Sequence, residues 1–379
     1  MTVRRSIWIL ALTAALTALL AGACSKAIGP NTEDEDDGWT NVGGDIEGAT
    51  PIRFSSSLAQ PQTKAYASLS TTHTSFRVFA FYQPGNISED PALHYTGSWE
   101  DLLTKNWTPN FMYSQQVNWV TDHWAYTPLK YWPNNPENTI TFWAYAPADA
   151  SVTLYQSRTS TAYSNSTPGL PDILFTVPST ANYDFLISKF NMEDSDPDYP
   201  TYFTQDLSKT SISEGVHFLF RHALCKVNFL VAKDDESDKY DMDLNIVRLD
   251  DILFTGLYDE DAGQWAPGSS TRGTFEILKD SDTDITLTTS STALGSGILL
   301  PQRLSRTDAT LHVQYKYKTK SALEYTTVDC EIPIGDVISS WDTSLEYTLN
   351  IKISPGNPIL FTATVIKWGS DTNGYFNVD

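Results

Sequence analysis

Alternation of apolar and polar side chains, repeated along the chain with almost no helical periodicity, constrains this sequence more than any other feature. In "LEYTLNIKI", Leu345, Tyr347, Leu349, Ile351 and Ile353 fall on one face, and Glu346, Thr348, Asn350 and Lys352 on the other. "TLHVQYKYK" repeats the pattern, with Leu311, Val313, Tyr315 and Tyr317 set against His312, Gln314, Lys316 and Lys318. A period of two with one wet face marks an antiparallel sheet covered on one side. "FRVFAFY" (76–82), "HFLFRHALCKVNFLV" (217–231) and "ILFTATVIKW" (359–368) are apolar on both faces, as central strands are. Only "WEDLLTKN" (99–106) reads as a short helix. Strands separated by Pro, Gly, Asn and Ser turns predict an all-β chain of antiparallel β-sandwiches, one per half.

The N-terminus predicts export. Arg4 and Arg5 precede an apolar run, Ile7 to Ala23, and then Ala21-Gly22-Ala23-Cys24-Ser25. A basic start, a short apolar stretch and small residues before the cut describe a secretory signal over 1–23. Cys24 immediately after the small residues is the expected site of lipidation, making residues 24–50 a lipidated tether that is acidic, Gly-rich and poor in aliphatics. Loss of Arg4 and Arg5 with the signal takes the formal charge from −21 to −23. So acidic a chain argues against nucleic acid as a partner, because phosphate contacts need Lys and Arg.

The remaining 356 residues suit two domains. The acidic run "KDDESDKYD" (233–241) sets the expected boundary, giving a sandwich over 51–233 and a second over 234–379. Cys225 and Cys330 remain after Cys24; both lie in strand-like runs, and whether they pair stays open.

No catalytic, cofactor or metal site is expected. The chain has no GxSxG, no HExxH and no phosphate-binding Gly-rich loop. His217 and His222 are five apart in a strand-like run and therefore face opposite sides of a sheet. Asp194, Asp196 and Asp198 begin like a calcium loop, but Tyr199 stands where Gly is needed and Gln205 where the bidentate Glu is needed, so a solvated acidic turn is expected.

The stretch 122–147, "DHWAYTPLKYWPNNPENTITFWAYAP", concentrates Trp, Tyr and Pro. Two readings compete. Trp119, Trp124, Trp132 and Trp143 could form a stacking platform for sugar rings, making the protein a surface glycan-binding lipoprotein. Alternatively the rings fill a core, with Pro128, Pro133 and Pro147 setting where strand pairing stops, and this reading is favoured.

The segment 111–147, "FMYSQQVNWVTDHWAYTPLKYWPNNPENTITFWAYAP", resembles the most characteristic region of the fimbrillin-like family of Gram-negative anaerobes. The resemblance continues in order through "GVHFLFRHALCKVNFLV" with Phe220, His222, Ala223, Leu224, Lys226 and Val227, then "ILFTG", "GQWAP", "ILLPQ", "SLEYTLNI" and "VIKW". It implies two transthyretin-like antiparallel β-sandwich domains in tandem and a structural or adhesive role in a cell-surface pilus. It further implies export as an outer-membrane lipoprotein, then a place in the fimbrium. A processing protease would remove the first strand, and a neighbouring pilus subunit would supply a strand to fill the vacancy; a host or bacterial surface ligand is a further possible partner. "TPIRFSSSLAQ" (50–60) is the expected removable strand. Lys64, in "QTKAYASLS", stands where the family commonly has Arg, and Arg53 is the alternative processing site. Ile359, Phe361, Ala363 and Val365 are the expected inward face of a donor strand, with an ordinary last strand of the second domain as the other reading.

Overall fold

The computed structural model describes residues 49–58, 67–84, 102–103, 105–178, 183–188, 204–209, 215–260, 263–266, 272–280, 282–305, 309–368 and 376–377. The first half contains β1 (Phe54–Leu58), β2 (Ala67–Ser68), β3 (Ser75–Gln83), β4 (Met112–Val120), β5 (His123–Ala125) and β6 (Thr139–Ala146). It continues with β7 (Val152–Gln156), β8 (Pro171–Thr176), β9 (Leu186–Ser188), β10 (Val216–His222) and β11 (Cys225–Lys233). Next come β12 (Tyr240–Leu253), β13 (Thr255–Asp259), β14 (Gln264–Ala266), β15 (Arg272–Leu278), β16 (Ile285–Thr286) and β17 (Thr292–Leu299). The last are β18 (Gln302–Arg303), β19 (Thr310–Thr319), β20 (Thr326–Pro333), β21 (Ser340–Trp341), β22 (Leu345–Ile353), β23 (Leu360–Lys367) and β24 (Phe376–Asn377). Of the expected short helix, Leu102 and Leu103 are helical and Lys105 and Asn106 form a turn; residues 99–101 and 104 lie outside the described residues.

Four large sheets form the body. An eight-stranded sheet runs β2-β1-β10-β9-β6-β3-β4-β5, and a four-stranded sheet runs β14-β13-β8-β7. Two five-stranded sheets, β17-β11-β22-β23-β24 and β15-β12-β19-β20 with β16, share one apolar layer. Into that layer point Val227, Phe229, Leu349, Ile351, Leu244, Val247, Leu311 and Val313. The architecture is all-β, with strand-rich units in tandem.

The acidic run at 233–241 leads from β11 to β12, which lie in different sheets. The apolar stretch 217–231, expected as one central strand, breaks at Ala223 and Leu224 into β10 and β11, which join different sheets. The hairpin of β13 and β14 returns to pair with β8, extending a sheet begun in the first half.

At β3 and β6 the eight-stranded sheet is buried on both faces. Along β3, Phe76, Val78, Ala80 and Tyr82 enter one core while Phe79 and Phe81 enter the other. In β6, Ile140, Phe142, Ala144 and Ala146 oppose Trp143 and Tyr145 in the same way, which is why both strands read as apolar throughout. The sheet curls until its ends meet: Ile52 N–H donates to Lys130 O at 2.8 Å, and Trp132 N–H donates to Thr50 O at 2.9 Å. β6 stops at Ala146, immediately before Pro147, whose missing N–H cannot extend a ladder.

The wet face expected for "TLHVQYKYK" holds except at His312, which is buried. Two carboxylates explain this, Asp329 at 2.6 Å from Nε2 and Asp250 at 3.6 Å from Nδ1. Alternation gives the face of a strand but not what a neighbouring strand sets against it. Cys225 and Cys330 are both free thiols, and Cys225 is fully buried.

Candidate functional site

The aromatic stretch is core. Trp124, Trp132 and Trp143 are buried, and Trp119 packs edge-on against Trp124 at 5.1 Å. Trp143 directs its indole N–H to Glu260 Oε1 at 3.0 Å, deep in the protein. Three of the four rings are therefore buried and only Trp119 is half-exposed, so the platform reading loses the array of rings it needs.

The most distinctive arrangement surrounds β1. This strand runs parallel to β10, with Phe54 opposite Val216, Ser55 opposite His217, Ser56 opposite Phe218, Ser57 opposite Leu219 and Leu58 opposite Phe220. On its other side, among the described residues, Ser57 and Leu58 pair with Ser68 and Ala67 of β2. The backbone before it is clamped: Val216 N–H donates to Arg53 O at 2.8 Å, and the Tyr126 hydroxyl donates to Ile52 O at 2.9 Å. Gly215, at φ +98°, permits that approach; a Cβ there would lie 2.6 Å from Arg53 O.

The inner face of β1 closes the second core. Ile52, Phe54 and Leu58 are buried. The Phe54 ring sits 5.2 Å from Tyr126, 5.6 Å from Phe218, 6.0 Å from Phe142 and 6.2 Å from Phe76. Ser56 lies on this same face by alternation, and its hydroxyl is buried with no hydrogen-bond partner among the described residues. The outer face is polar. Ser55 Oγ lies 2.8 Å from Nδ1 of His217, and Ser57 Oγ lies 2.8 Å from Nε2. Burial lowers the His217 pKa to about 4, so the ring is neutral: one nitrogen accepts from a serine and the other donates to the second.

The expected donor residues lie on β23. Phe361, Ala363 and Val365 are buried in the second half's core, and Ile359, just before the strand, packs against it. β23 pairs with β22 from Leu345↔Lys367 to Lys352↔Leu360, but with β24 only at Thr364 and Val365. His222 and His217 do face opposite ways: His222 stacks on Trp368 at 3.7 Å and its Nδ1 lies 2.9 Å from Asp184 Oδ2. Arg53 is exposed. Cys24, Lys64 and the acidic turn at Asp194, Asp196 and Asp198 lie outside the described residues. Among the described residues no group of three or more His, Cys, Asp or Glu is placed to hold a metal ion. The serine pair on His217 was missed in the sequence; its only signal there is the run Ser55-Ser56-Ser57.

A known protein shares this architecture. A crystal structure of a fimbrial protein from Bacteroides vulgatus superposes with a TM-score of 0.62 at 20% identity, covering 84% of this chain and 99% of that one. A putative cell adhesion protein from Bacteroides ovatus is more distant, with a TM-score of 0.46 and 13% identity over 86% of this chain and 99% of that one. In sequence, the chain is 31% identical over 179 residues to fimbrium subunit Fim1C of Phocaeicola vulgatus. That match takes in 47% of this chain and 41% of the relative, so it spans less than half of either. The fimbrillin-like family model matches residues 63–368, from just before β2 to the end of β23, and the chain belongs to that family.

Proposed function

We propose that this protein is a structural or adhesive subunit of a cell-surface fimbria, built from two transthyretin-like sandwiches. On this reading it is exported as an outer-membrane lipoprotein through Cys24 and then loses its first strand to a protease. A strand from a neighbouring subunit fills the vacancy by adding to the sheet edge. One observation carries the proposal: β1 supplies Ile52, Phe54 and Leu58 to a core otherwise made by later strands, and it joins them only through residues 59–66.

That topology favours one of the two candidate cuts. A cut after Lys64 falls between β1 and β2 and releases β1 with the tether. A cut after Arg53 would leave β1 attached to the chain that follows, with the groove still filled. The Arg53 carbonyl is also held by Val216, and the preceding Ile52 by Lys130, so a protease would have to peel this segment away first. Intact-mass analysis of the mature surface protein tests the proposal. The expected product begins at Ala65, and Lys64→Ala retains residues 24–64 with the lipid. A mature chain that still contains β1 in assembled fibres would overturn it.

A further inference from the structure

Three strand ends meet at one edge of the eight-stranded sheet. Antiparallel pairing of β3 with β6, and of β6 with β9, brings together the start of β3, the end of β6 and the start of β9. The residues at these ends enclose a cleft of about 500 Å³, lined by Thr72, His73, Thr74 and Ser75, by Pro147 and Asp149, and by Tyr183 and Asp184. Its walls are held in place. Ala148 N–H donates to Ser75 Oγ at 3.3 Å, Arg77 Nε donates to Ala148 O at 3.0 Å, and Ala150 N–H donates to Pro147 O at 3.1 Å. His73 ties the first wall to the third, with Nε2 3.4 Å from Asp184 O.

We propose that this cleft binds a neutral pyranose sugar, the terminal unit of a glycan. The inference rests on the adhesive half of the reading above and gives it a site and a ligand class. It is independent of strand exchange and uses none of the four tryptophans of the aromatic stretch.

Asp184 gives the first reason. Its Oδ2 lies 2.9 Å from Nδ1 of buried His222, whereas Oδ1 is buried with no hydrogen-bond partner among the described residues. A carboxylate oxygen cut off from water and left without a donor is costly, and a hydroxyl donated by a ligand removes that cost. Asp149 is exposed and accepts from the Tyr183 hydroxyl at 3.3 Å through Oδ1. Burial, and then the Asp149 charge, push the Tyr183 pKa up, so this phenol stays protonated and donates to the carboxylate. Phe175 stacks against the Tyr183 ring at 6.2 Å and braces an aromatic wall for the apolar face of a sugar. Carboxylate acceptors on Asp149 and Asp184, with the hydroxyls of Thr72, Thr74 and Ser75, suit a ligand that carries donors and acceptors around its whole rim. The volume is that of a small-molecule site and far exceeds a single ammonium group. Among the described residues no group of three or more His, Cys, Asp or Glu is placed to hold a metal ion, which argues against a point cation here. No Lys or Arg lines the cleft, so sialylated and sulfated sugars would meet two carboxylates with no compensating charge.

The test uses the full chain, made without its lipid. It is screened on an array that carries neutral, sialylated and sulfated animal glycans beside bacterial polysaccharide fragments, which separates the two sources of such a sugar. Methyl glycosides of galactose, mannose and N-acetylglucosamine are then titrated by isothermal calorimetry. Neutral glycans on the array and at least one of the three glycosides should bind, with an affinity indifferent to added salt. Asp149→Asn, at an exposed position, should weaken binding on the order of tenfold, and Tyr183→Phe roughly threefold, with thermal unfolding unchanged. Binding confined to sialylated or sulfated glycans, binding that neither substitution weakens, or no glycan binding at all would overturn the inference. So would capture of a tri-lysine peptide in place of sugars, with an affinity that depends on Asp149 and falls with salt, since the cleft would then be a cation site. Filament formation by the same protein is scored separately, so the sugar site and the fimbrial reading fail independently.

Discussion

Phe54→Ala removes the largest side chain that β1 contributes. The ring is 6% exposed and touches four aromatic neighbours, three of which, Phe76, Phe142 and Phe218, lie on interior strands of the eight-stranded sheet. Truncating a buried Phe to Ala costs about 3–5 kcal/mol, through lost transfer energy and the cavity left behind. The surrounding rings come from four different segments and cannot all close in, which places the cost toward the upper part of that range. Phe54→Leu keeps most of the volume and should cost about 1–1.5 kcal/mol. Urea unfolding followed by the fluorescence of Trp124 and Trp132, both in this core, reads the effect where it arises. Hydrogen exchange should also quicken in β10, whose partner strand is loosened. If Phe54→Ala shifts the transition by less than about 1 kcal/mol, β1 is not a keystone of this core and the reasoning fails.

Further outcomes follow from the same geometry. His217 has a pKa lowered from 6.5 to about 4 by burial, so folding favours its neutral form. The associated stability is whole above pH 6.5 and declines as the pH falls toward 4; the shift sets a ceiling of about 3 kcal/mol, which partial exposure reduces to about 1–2, and His217→Gln should flatten this part of the stability–pH curve. Trp132→Ala should cost about 3–5 kcal/mol in thermal or urea unfolding, since the ring is buried, whereas a sugar-stacking tryptophan would be lost with little change in stability. Cys24→Ser should abolish acyl labelling and release the exported protein from the membrane fraction, as detected by detergent partitioning.

Much of the fold could be read from alternation, because "LEYTLNIKI" and "TLHVQYKYK" each present one face to a core and one to water. The aromatic stretch at 122–147 was readable as core because strand length, proline placement and ring density agreed. The partition into sheets was not. β10 and β11 read as one strand-like run, and nothing in the local pattern marks Ala223 and Leu224 as the place where the chain leaves one sheet for another. The return of β13 and β14 to β8 is equally silent, being a pairing between segments about eighty residues apart. At the candidate site, the inward residues of β23 could be picked from their period, but the importance of Ser55 and Ser57 depends on a parallel register with β10.

The measurement that tests the central claim most directly is controlled trimming of the lipid-free protein with a Lys/Arg-specific protease, followed by intact mass, size-exclusion chromatography and negative-stain imaging. A cut after Lys64, loss of the fragment carrying β1 and the appearance of filaments is the predicted result. A chain that loses β1 yet remains a folded monomer, or one that forms filaments with β1 still covalently in place, would contradict it.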